Sequence, residues 1–297
     1  MVRAFMQQNK PLQGITVGYI GLGNMGRPGA RHLHQAGADV IVWNRSDGPA
    51  REAESLGMSR ANSPAHLGQF VGKGIVCLNL TTTEVVEQIV FGKDGLVEGL
   101  SANALVIDFG TTDVAATRRF AEKLAWIDAP VSGGQVGAEA ATLTIMAGGS
   151  TENFQRALPV LQAVGKRVTH MGESGAGQVT KLANQLIVAQ TIDAVAQALR
   201  LAELSGVDSG KVREALLGGF AESRILQLHG DRMVRRDFVA GGRAVLQLKD
   251  VHLICKLAEL VGFSSPTLEN CRAQWEQMVL QDGLGDLDHS GLFKLYE

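Results

Sequence analysis

The chain has 297 residues, of which 45% are hydrophobic and 20% are charged, and its net charge is −2. This composition is that of a globular chain that can bury a core, and the length suits one large domain or two. The charge provides no basic surface for nucleic acid or for an anionic membrane, and no apolar run is long enough to cross a bilayer. Three cysteines without a CxxC spacing and seven histidines without an HExxH motif indicate no disulfide framework and no metal site, so we expect a cytoplasmic protein.

The first predicted unit is a strand, a turn and a helix between residues 15 and 37. The apolar strand 15–20 runs into Gly21-Leu22-Gly23-Asn24-Met25-Gly26, a helix follows over 27–37, and a second strand is predicted over 39–44. In this context the first glycine permits a tight turn, the second admits a pyrophosphate against the backbone, and the third lets helix and strand pack closely. The pattern predicts a dinucleotide-binding loop of the Rossmann type, with the pyrophosphate at a helix N-terminus. The alternative is a glycine-rich turn without a ligand, because the chain holds 36 glycines.

Asn44, Arg45 and Ser46 follow the second predicted strand. Folds specific for NAD usually place Asp or Glu there, against the ribose 2′-hydroxyl. A guanidinium and a hydroxyl suit a 2′-phosphate instead. The sequence therefore predicts NADPH as the preferred cofactor, with NAD as a second option. The alternative is that Arg45 is a solvated surface arginine.

Strands and helices continue to alternate through the first half of the chain. The further predicted strands are 74–80, 104–109, 125–129, 142–147 and 167–171, and the helical segments are 48–57, 84–91, 113–124 and 152–164. Such alternation predicts a mostly parallel, doubly wound sheet that is covered by helices on both faces.

A polar, glycine-rich segment follows the fifth of these strands and runs from Asp128 to Gly134. Ser132, Gly133 and Gly134 offer a hydroxyl and accessible backbone N–H groups, which are suitable donors for a substrate carboxylate. Taken alone, the segment is equally well explained as a plain turn.

The character of the chain changes near Gly175. Residues 178–204 contain neither Gly nor Pro and only four charged side chains, which predicts a largely buried helix about 40 Å long. Helical segments follow at 208–217, 222–235, 243–261 and 266–281, without a convincing strand. We therefore predict an α/β protein with a Rossmann-type domain over 1–175, a long interdomain helix, and an all-helical substrate and oligomerisation domain over 176–297. The apolar helix suggests a homodimer or homotetramer through that domain, unless one chain buries it alone.

Lys181 lies about one turn into this long helix, with Asn184 and Gln185 on the same face at i+3 and i+4. A lysine on a mostly apolar helix needs a partner or a function. The alternative is a lysine that extends its ammonium group into water. The pair Lys249-Asp250 is uninformative by itself.

Together these segments resemble the β-hydroxyacid dehydrogenase family across nearly the whole chain. The resemblance rests on Gly21 to Gly26, Asp128 to Gly134, Thr142 to Met146, Gly175 to Lys181 and Lys249-Asp250. Within the family, segments such as Gly218 to Ala221, Ser223 to Leu226 and Leu287 to Ser290 look like the tartronate semialdehyde reductase subgroup.

The resemblance implies a role for each segment. Lys181 would be the catalytic acid/base, and Ser132, Gly133 and Gly134 would hold the substrate carboxylate. Asn184 and Gln185 would flank the reacting carbonyl, and Lys249 and Asp250 would close over the nicotinamide end. The remaining cofactor contacts would come from Gly21, Leu22, Gly23, Asn24, Met25, Gly26, Asn44, Arg45, Ser46, Leu80, Thr81, Thr82 and Thr111.

This chain departs from the family pattern at three places. Gln185 stands where Asn is common, and Leu80-Thr81-Thr82 stands where Pro-Asp often follows an apolar residue. Val239-Ala240-Gly241-Gly242 replaces a Pro-Gly-aromatic run, which predicts a roomier site that accepts larger carbonyl substrates.

The resulting expectation is an NADPH-preferring reductase of small carboxylate-bearing aldehydes, reversible as a hydroxyacid dehydrogenase. An imine reductase on the same plan is one alternative, although that subgroup tends to lack the lysine. A non-catalytic nucleotide-binding protein is another, although Lys181, Ser132 and Lys249 are all present.

Overall fold

The computed structural model describes residues 10–297. The chain forms two compact units, the first ending at Lys181 and the second running from Leu182 to Glu297. The division falls inside a long helix, six residues beyond the domain boundary that the sequence predicts.

The first unit is built on one mixed, mostly parallel sheet in the order β3-β2-β1-β4-β5-β6-β8-β7, with β9 paired to β8. The strand β1 lies between β2 and β4 and is parallel to both, so the chain reverses its direction of winding beside β1. Ligands of doubly wound sheets bind at such a reversal, outside the carboxyl ends of the strands. The strands are β1 Thr16–Ile20, β2 Asp39–Trp43, β3 Ser59–Arg60, β4 Ile75–Leu78, β5 Leu105–Asp108, β6 Ala125–Asp128, β7 Val131–Ser132, β8 Leu143–Gly148 and β9 Gly165–Gly172.

Helices cover both faces of the sheet, and two hydrophobic clusters fill the space between the layers. Several helices begin at a side-chain cap, as at Ser63, Asp113 and Ser150, whose oxygens accept a backbone N–H of the first turn. The helices are α1 Gly26–Gln35, α2 Asp47–Ser55, α3 Pro64–Val71, α4 Thr83–Phe91, α5 Val114–Lys123, α6 Gly134–Glu139 and α7 Thr151–Val164, with a 3-10 turn at Leu96–Glu98.

The fold class predicted from the sequence is confirmed, and all seven predicted strands are present within a few residues of their predicted ends. Two short strands, β3 and β7, were not predicted. The order β6-β8-β7 is antiparallel, so the sheet is less uniformly parallel than the alternation of elements suggests.

The second unit, from Leu182 to Glu297, consists of helices and the segments that connect them, and its pairing outside helices is a single bridge between Arg243 and Asp288. Its helices pack around a core that includes Trp275, Met278 and Phe293, each completely buried. The helices are α8 Ala176–Leu204, which starts in the first unit, α9 Ser209–Leu216, α10 Arg224–Arg235, α11 Ala244–Val261 and α12 Pro266–Glu276, followed by a π-helical turn at Gln277–Gln281 and a 3-10 helix at His289–Tyr296.

The long helix α8 is less buried than its composition predicts. Buried positions recur every three or four residues, as at Ala189, Ile192 and Ala196, whereas Leu201 and Leu204 are 68% and 71% exposed. One face therefore belongs to the core and the opposite face is apolar but accessible, because a helix 29 residues long presents more apolar surface than one core covers. Among the described residues, no helix meets the length and hydropathy needed to cross a membrane.

Candidate functional site

The glycine loop at the end of β1 is shaped by close backbone contacts. A Cβ built on Gly26 would lie 1.8 Å from the carbonyl oxygen of Gly21, and one built on Gly21, where φ is +94°, would lie 2.3 Å from the carbonyl oxygen of Asn79. Beside Gly23, by contrast, no atom lies within 4 Å of the corresponding position. The first and third glycines are thus required by the fold, whereas the second borders open space. This is the arrangement that a pyrophosphate needs in order to approach the backbone, so the loop fits a dinucleotide.

Asn44 joins the glycine loop to the turn after β2. Its Oδ1 accepts the N–H of Leu22 at 2.8 Å, and its Nδ2 donates to both the carbonyl oxygen and the hydroxyl of Ser46 at 2.9 Å. The side chain of Asn44 therefore forms its hydrogen bonds within the protein. These bonds fix the glycine loop relative to the turn after β2.

Arg45 is exposed and has no hydrogen bond or ion pair with any residue that the structure describes. The neighbouring acid, Asp47, contacts two other arginines: its Oδ2 lies 2.7 Å from Nε of Arg51, and its Oδ1 lies 2.7 Å from Nη1 of Arg60. The end of β2 is consequently a cationic surface in which the one carboxylate is already neutralised.

The loops after β4 and β5 reach the same edge of the sheet as the glycine loop, because β1, β4 and β5 are adjacent and parallel. Leu80, Thr81 and Thr82 follow β4, and Thr82 caps α4 by accepting the N–H of Val85. Thr111 follows β5 and is half-buried. The structure thus brings the predicted cofactor-contacting residues of the first unit to one edge.

The start of α8 is anchored by the buried carboxylate of Asp128 at the end of β6. Its Oδ1 accepts the N–H of Gly175 at 2.8 Å, and its Oδ2 accepts the N–H of Gln178 at 2.9 Å. The Gln178 side chain in turn donates to the carbonyl oxygen of Gly110 and accepts the N–H of Thr112. Burial raises the pKa of Asp128 to about 6, although the backbone N–H groups oppose the rise.

Lys181 lies three residues beyond Gln178 on the same helix and is only 9% exposed. The anchor at Asp128 and Gln178 therefore fixes the helical turn that precedes the lysine. Sequence reasoning did not assign a function to either anchoring residue. The sequence signal that could have identified them is a polar side chain at the edge of an otherwise apolar segment, because such a group needs a hydrogen-bond partner when the segment is buried.

Ser132 is the last residue of β7 and lies opposite Thr144 of β8. Gly133, with φ +136°, and Gly134 are exposed at the start of α6. The hydroxyl and the two glycines are therefore adjacent on an accessible turn.

In the second unit, four predicted residues lie in one hydrogen-bonded network with one that was not predicted. Nδ2 of Asn184 donates to Oε1 of Gln185, whose Nε2 donates to Oδ2 of Asp250 at 2.6 Å and to Oε1 of Gln247 at 3.2 Å. Asp250 also lies 2.8 Å from the ammonium of Lys249. Gln185 is therefore held by its own unit, and the completely buried Gln247 is the residue that sequence reasoning missed.

A second polar cluster occupies the space beside Gly242. Asp288 accepts the backbone N–H groups of Gly241 and Gly242, and the Nδ1 of His229 lies 3.3 Å from its Oδ1. Burial alone would raise the pKa of Asp288, but its hydrogen-bond donors outweigh burial and hold this pKa well below the usual range. A Cβ on Gly242 would lie 3.3 Å from Nε2 of His289. The imidazole of His289 therefore lies against Gly242, and the roomier site expected from this glycine stays a prediction.

No group of His, Cys, Asp and Glu side chains within residues 10–297 is arranged to hold a metal ion. The glycine loop lies where a doubly wound sheet reverses its winding, and the chain continues into an all-helical unit. This architecture is typical of an NAD(P)-dependent dehydrogenase or reductase.

Comparison with known proteins defines the family. Residues 16–172 match the family described as the NAD binding domain of 6-phosphogluconate dehydrogenase, and residues 175–296 match the one described as NAD-binding of NADP-dependent 3-hydroxyisobutyrate dehydrogenase. The 2-hydroxy-3-oxopropionate reductase of Escherichia coli is 37% identical over 95% of this chain and 97% of its own length. The chain belongs to the β-hydroxyacid dehydrogenase family and is an NAD(P)-dependent enzyme.

Solved structures agree with this assignment. The 3-hydroxyisobutyrate dehydrogenase of Mycobacterium tuberculosis, solved with L-serine, superposes with a TM-score of 0.85 at 29% identity and covers 95% of this chain and 98% of its own. An imine reductase from Pseudomonas sp., at 19% identity and a TM-score of 0.60, covers 95% of this chain and 99% of its own and shares the fold alone.

Proposed function

We propose that this enzyme is an NADPH-preferring reductase of small carboxylate-bearing aldehydes, of the class of tartronate semialdehyde, glyoxylate and succinic semialdehyde, and that it also runs in reverse on hydroxyacids. The observation that carries this proposal is Lys181, a buried lysine one turn beyond the anchored start of α8. The similarity to a 2-hydroxy-3-oxopropionate reductase over nearly the full length supports the substrate class.

When bound, NADPH supplies a hydride to the aldehyde carbon. The ammonium group of Lys181 donates a proton to the developing alkoxide and stabilises its negative charge. Ser132 and the backbone N–H groups of Gly133 and Gly134 bind the substrate carboxylate, which orients the carbonyl. In the reverse direction, Lys181 accepts the hydroxyl proton.

Some residues of the second unit contact the substrate or the cofactor, and others hold those residues in place. Asn184 keeps one amide hydrogen and its carbonyl oxygen for the substrate, because its other hydrogen is bonded to Gln185. Gln185 acts mainly on Asp250, to which it donates at 2.6 Å. Lys249 and Asp250 act at the nicotinamide end of the cofactor.

The preference for NADPH is supported by Arg45, which is exposed and available to form two parallel N–H···O bonds with a 2′-phosphate. NAD remains a weaker alternative cofactor. On this proposal, residues 1–175 bind the dinucleotide, and residues 176–297 serve substrate binding and assembly. The accessible apolar face of α8, with Ile187 67% exposed, supports a homodimer or homotetramer formed through the helical unit, and the proposed location is the cytoplasm.

The test is a screen of NADPH oxidation with tartronate semialdehyde, glyoxylate, succinic and methylmalonic semialdehydes, and several cyclic imines. We expect turnover of carboxylate-bearing aldehydes and little with imines. A protein that reduces only the imines would refute the proposal and establish the imine reductase alternative.

The catalytic role of Lys181 has its own test. Lys181→Ala should lower kcat about 10²–10⁴-fold, the usual contribution of general acid catalysis, while NADPH binding persists. Lys211→Ala removes an exposed lysine of α9 and serves as the matched control. Near-normal kcat in Lys181→Ala would show that another group donates the proton.

A further inference from the structure

Three arginines, Arg45, Arg51 and Arg60, and the carboxylate of Asp47 lie near the end of β2. Asp47, the first residue of α2, is bonded through one oxygen to Arg51 of the same helix and through the other to Arg60 of β3. Arg45 lies two residues before Asp47 and has no partner among the described residues. Arg51 and Asp47 offset each other's charge on α2, so the remaining positive charge lies on Arg45 and Arg60 and attracts an anion.

Arg60 is the most firmly placed of these arginines. It lies on the edge strand of the sheet, where its backbone pairs with Val42, one residue before β2 ends. Its side chain is 28% exposed, whereas that of Arg51 is 71% exposed. The backbone position and the ion pair with Asp47 therefore hold the Arg60 guanidinium at the edge of the sheet where the adenosine end of a dinucleotide binds.

The ion pair leaves Arg60 with unused hydrogen-bonding capacity. A guanidinium has five N–H donors, and Asp47 accepts one from Nη1 at 2.7 Å. A phosphate dianion beside Arg45 can accept further N–H groups of Arg60 without breaking the pair. Asp47, which as a bare carboxylate would repel the phosphate, serves instead to orient the second arginine.

We infer that Arg60 is a second specificity-determining residue for the 2′-phosphate of NADPH, and that Asp47 is its positioning residue. The inference rests on the proposed preference for NADPH. Two arginines on neighbouring strands then contact the phosphate, one after β2 and one on β3.

The experiment compares the Kd of NADPH with that of NADH for the full-length protein, by quenching of protein fluorescence or by calorimetry. Arg60→Ala should weaken NADPH about ten- to a hundredfold, as for the loss of a charge-assisted hydrogen bond, and leave NADH within about twofold. Arg51→Ala is the matched control, because it removes the other partner of Asp47, and it should leave both constants unchanged. Melting temperatures of all variants report on folding.

The outcomes separate the inference from the proposed function. If Arg60→Ala keeps the wild-type NADPH affinity, weakens both cofactors equally, or is reproduced by Arg51→Ala, the role of Arg60 is refuted while the preference itself stands. If the wild type binds NADPH and NADH equally, both the preference and this inference fail. The aldehyde reductase activity is tested by turnover, and its absence would leave the binding ratio and the role of Arg60 intact.

Discussion

Replacement of the buried Asp128 by Asn should change how stability depends on pH. The pKa of Asp128 is raised by burial to about 6 in the folded protein, compared with 3.8 for an ordinary aspartate. The folded protein therefore holds a proton that the unfolded chain has released, and this carboxyl makes the protein more stable as the pH falls from about 7 toward 4. This direction is opposite to that of an aspartate in a salt bridge.

The magnitude follows from the two pKa values. The difference between a pKa of about 6 in the folded protein and 3.8 in the unfolded chain corresponds to about 3 kcal/mol in the free energy of unfolding, reached when the carboxyl is fully protonated in both states. Between pH 7.5 and pH 4.5 the linkage relation gives about 2 kcal/mol of that total, because the unfolded carboxyl begins to protonate at the lower end. The amide introduced by Asp128→Asn cannot ionise, so this component should be absent in the variant.

The assay is urea unfolding followed by tryptophan fluorescence at pH 4.5, 5.5, 6.5 and 7.5, since Trp126 lies buried in the same strand. The stability difference between wild type and Asp128→Asn should grow in favour of wild type by about 2 kcal/mol from pH 7.5 to pH 4.5. Loss of one accepted N–H bond shifts the variant by a constant of about 1–3 kcal/mol and leaves this slope unchanged. The exposed Asp39→Asn is the control. A difference that is flat with pH, or that grows in the other direction, would refute the reasoning.

Three further predictions concern the second unit. Burial lowers the pKa of His289 to about 4, below its ordinary 6.5, so this group should cost about 3 kcal/mol of stability as the pH falls from 6.5 to 4, and His289→Asn should remove that acid sensitivity in the same unfolding series. Gly242→Phe should displace the His289 ring and lower the Tm by several degrees, which differential scanning calorimetry would detect; an unchanged Tm would contradict this, and the substrate ranking of the variant separately tests whether residue 242 lines the pocket. Gln247→Leu should destabilise the protein by about 1–3 kcal/mol because it leaves an amide hydrogen of Gln185 unpaired, whereas the exposed Gln277→Leu should be nearly neutral in the same denaturation assay.

Much of the fold follows from local sequence pattern. Strands such as β1 and β4 are short apolar runs between turn residues, and their burial on both faces requires that composition. The strand β3 could not be predicted, because Ser59 and Arg60 are polar and form a strand only through pairing with β2. The exposure of one face of α8 could not be predicted either. Composition gives the apolar content of a helix, but it does not show how many of the helix faces a core covers.

In the candidate site, too, features set by neighbouring residues could be predicted, whereas features set by residues distant in sequence could not. The glycine loop is predictable because the spacing of its three glycines between a strand and a helix is a local signal, although the contact that constrains Gly21 comes from the distant Asn79. Gln247 is recognisable only from its bond to Gln185, 62 residues away in sequence. The contact at Gly242 is of the same kind, because its neighbour His289 lies 47 residues away in sequence.

The glycine loop has a consequence for the cost of binding. Its shape is fixed by the contact between Gly21 and Gly26 and by the bond from Leu22 to Asn44, all of which are contacts within the protein itself. The cofactor therefore meets a preorganised surface and loses little affinity to ordering the backbone. Folding and binding are also separable at this loop, since a side chain at Gly23 would enter only the space left for the pyrophosphate. A Gly23→Val protein should accordingly fold like the wild type and serve as the empty reference against which each cofactor affinity is measured.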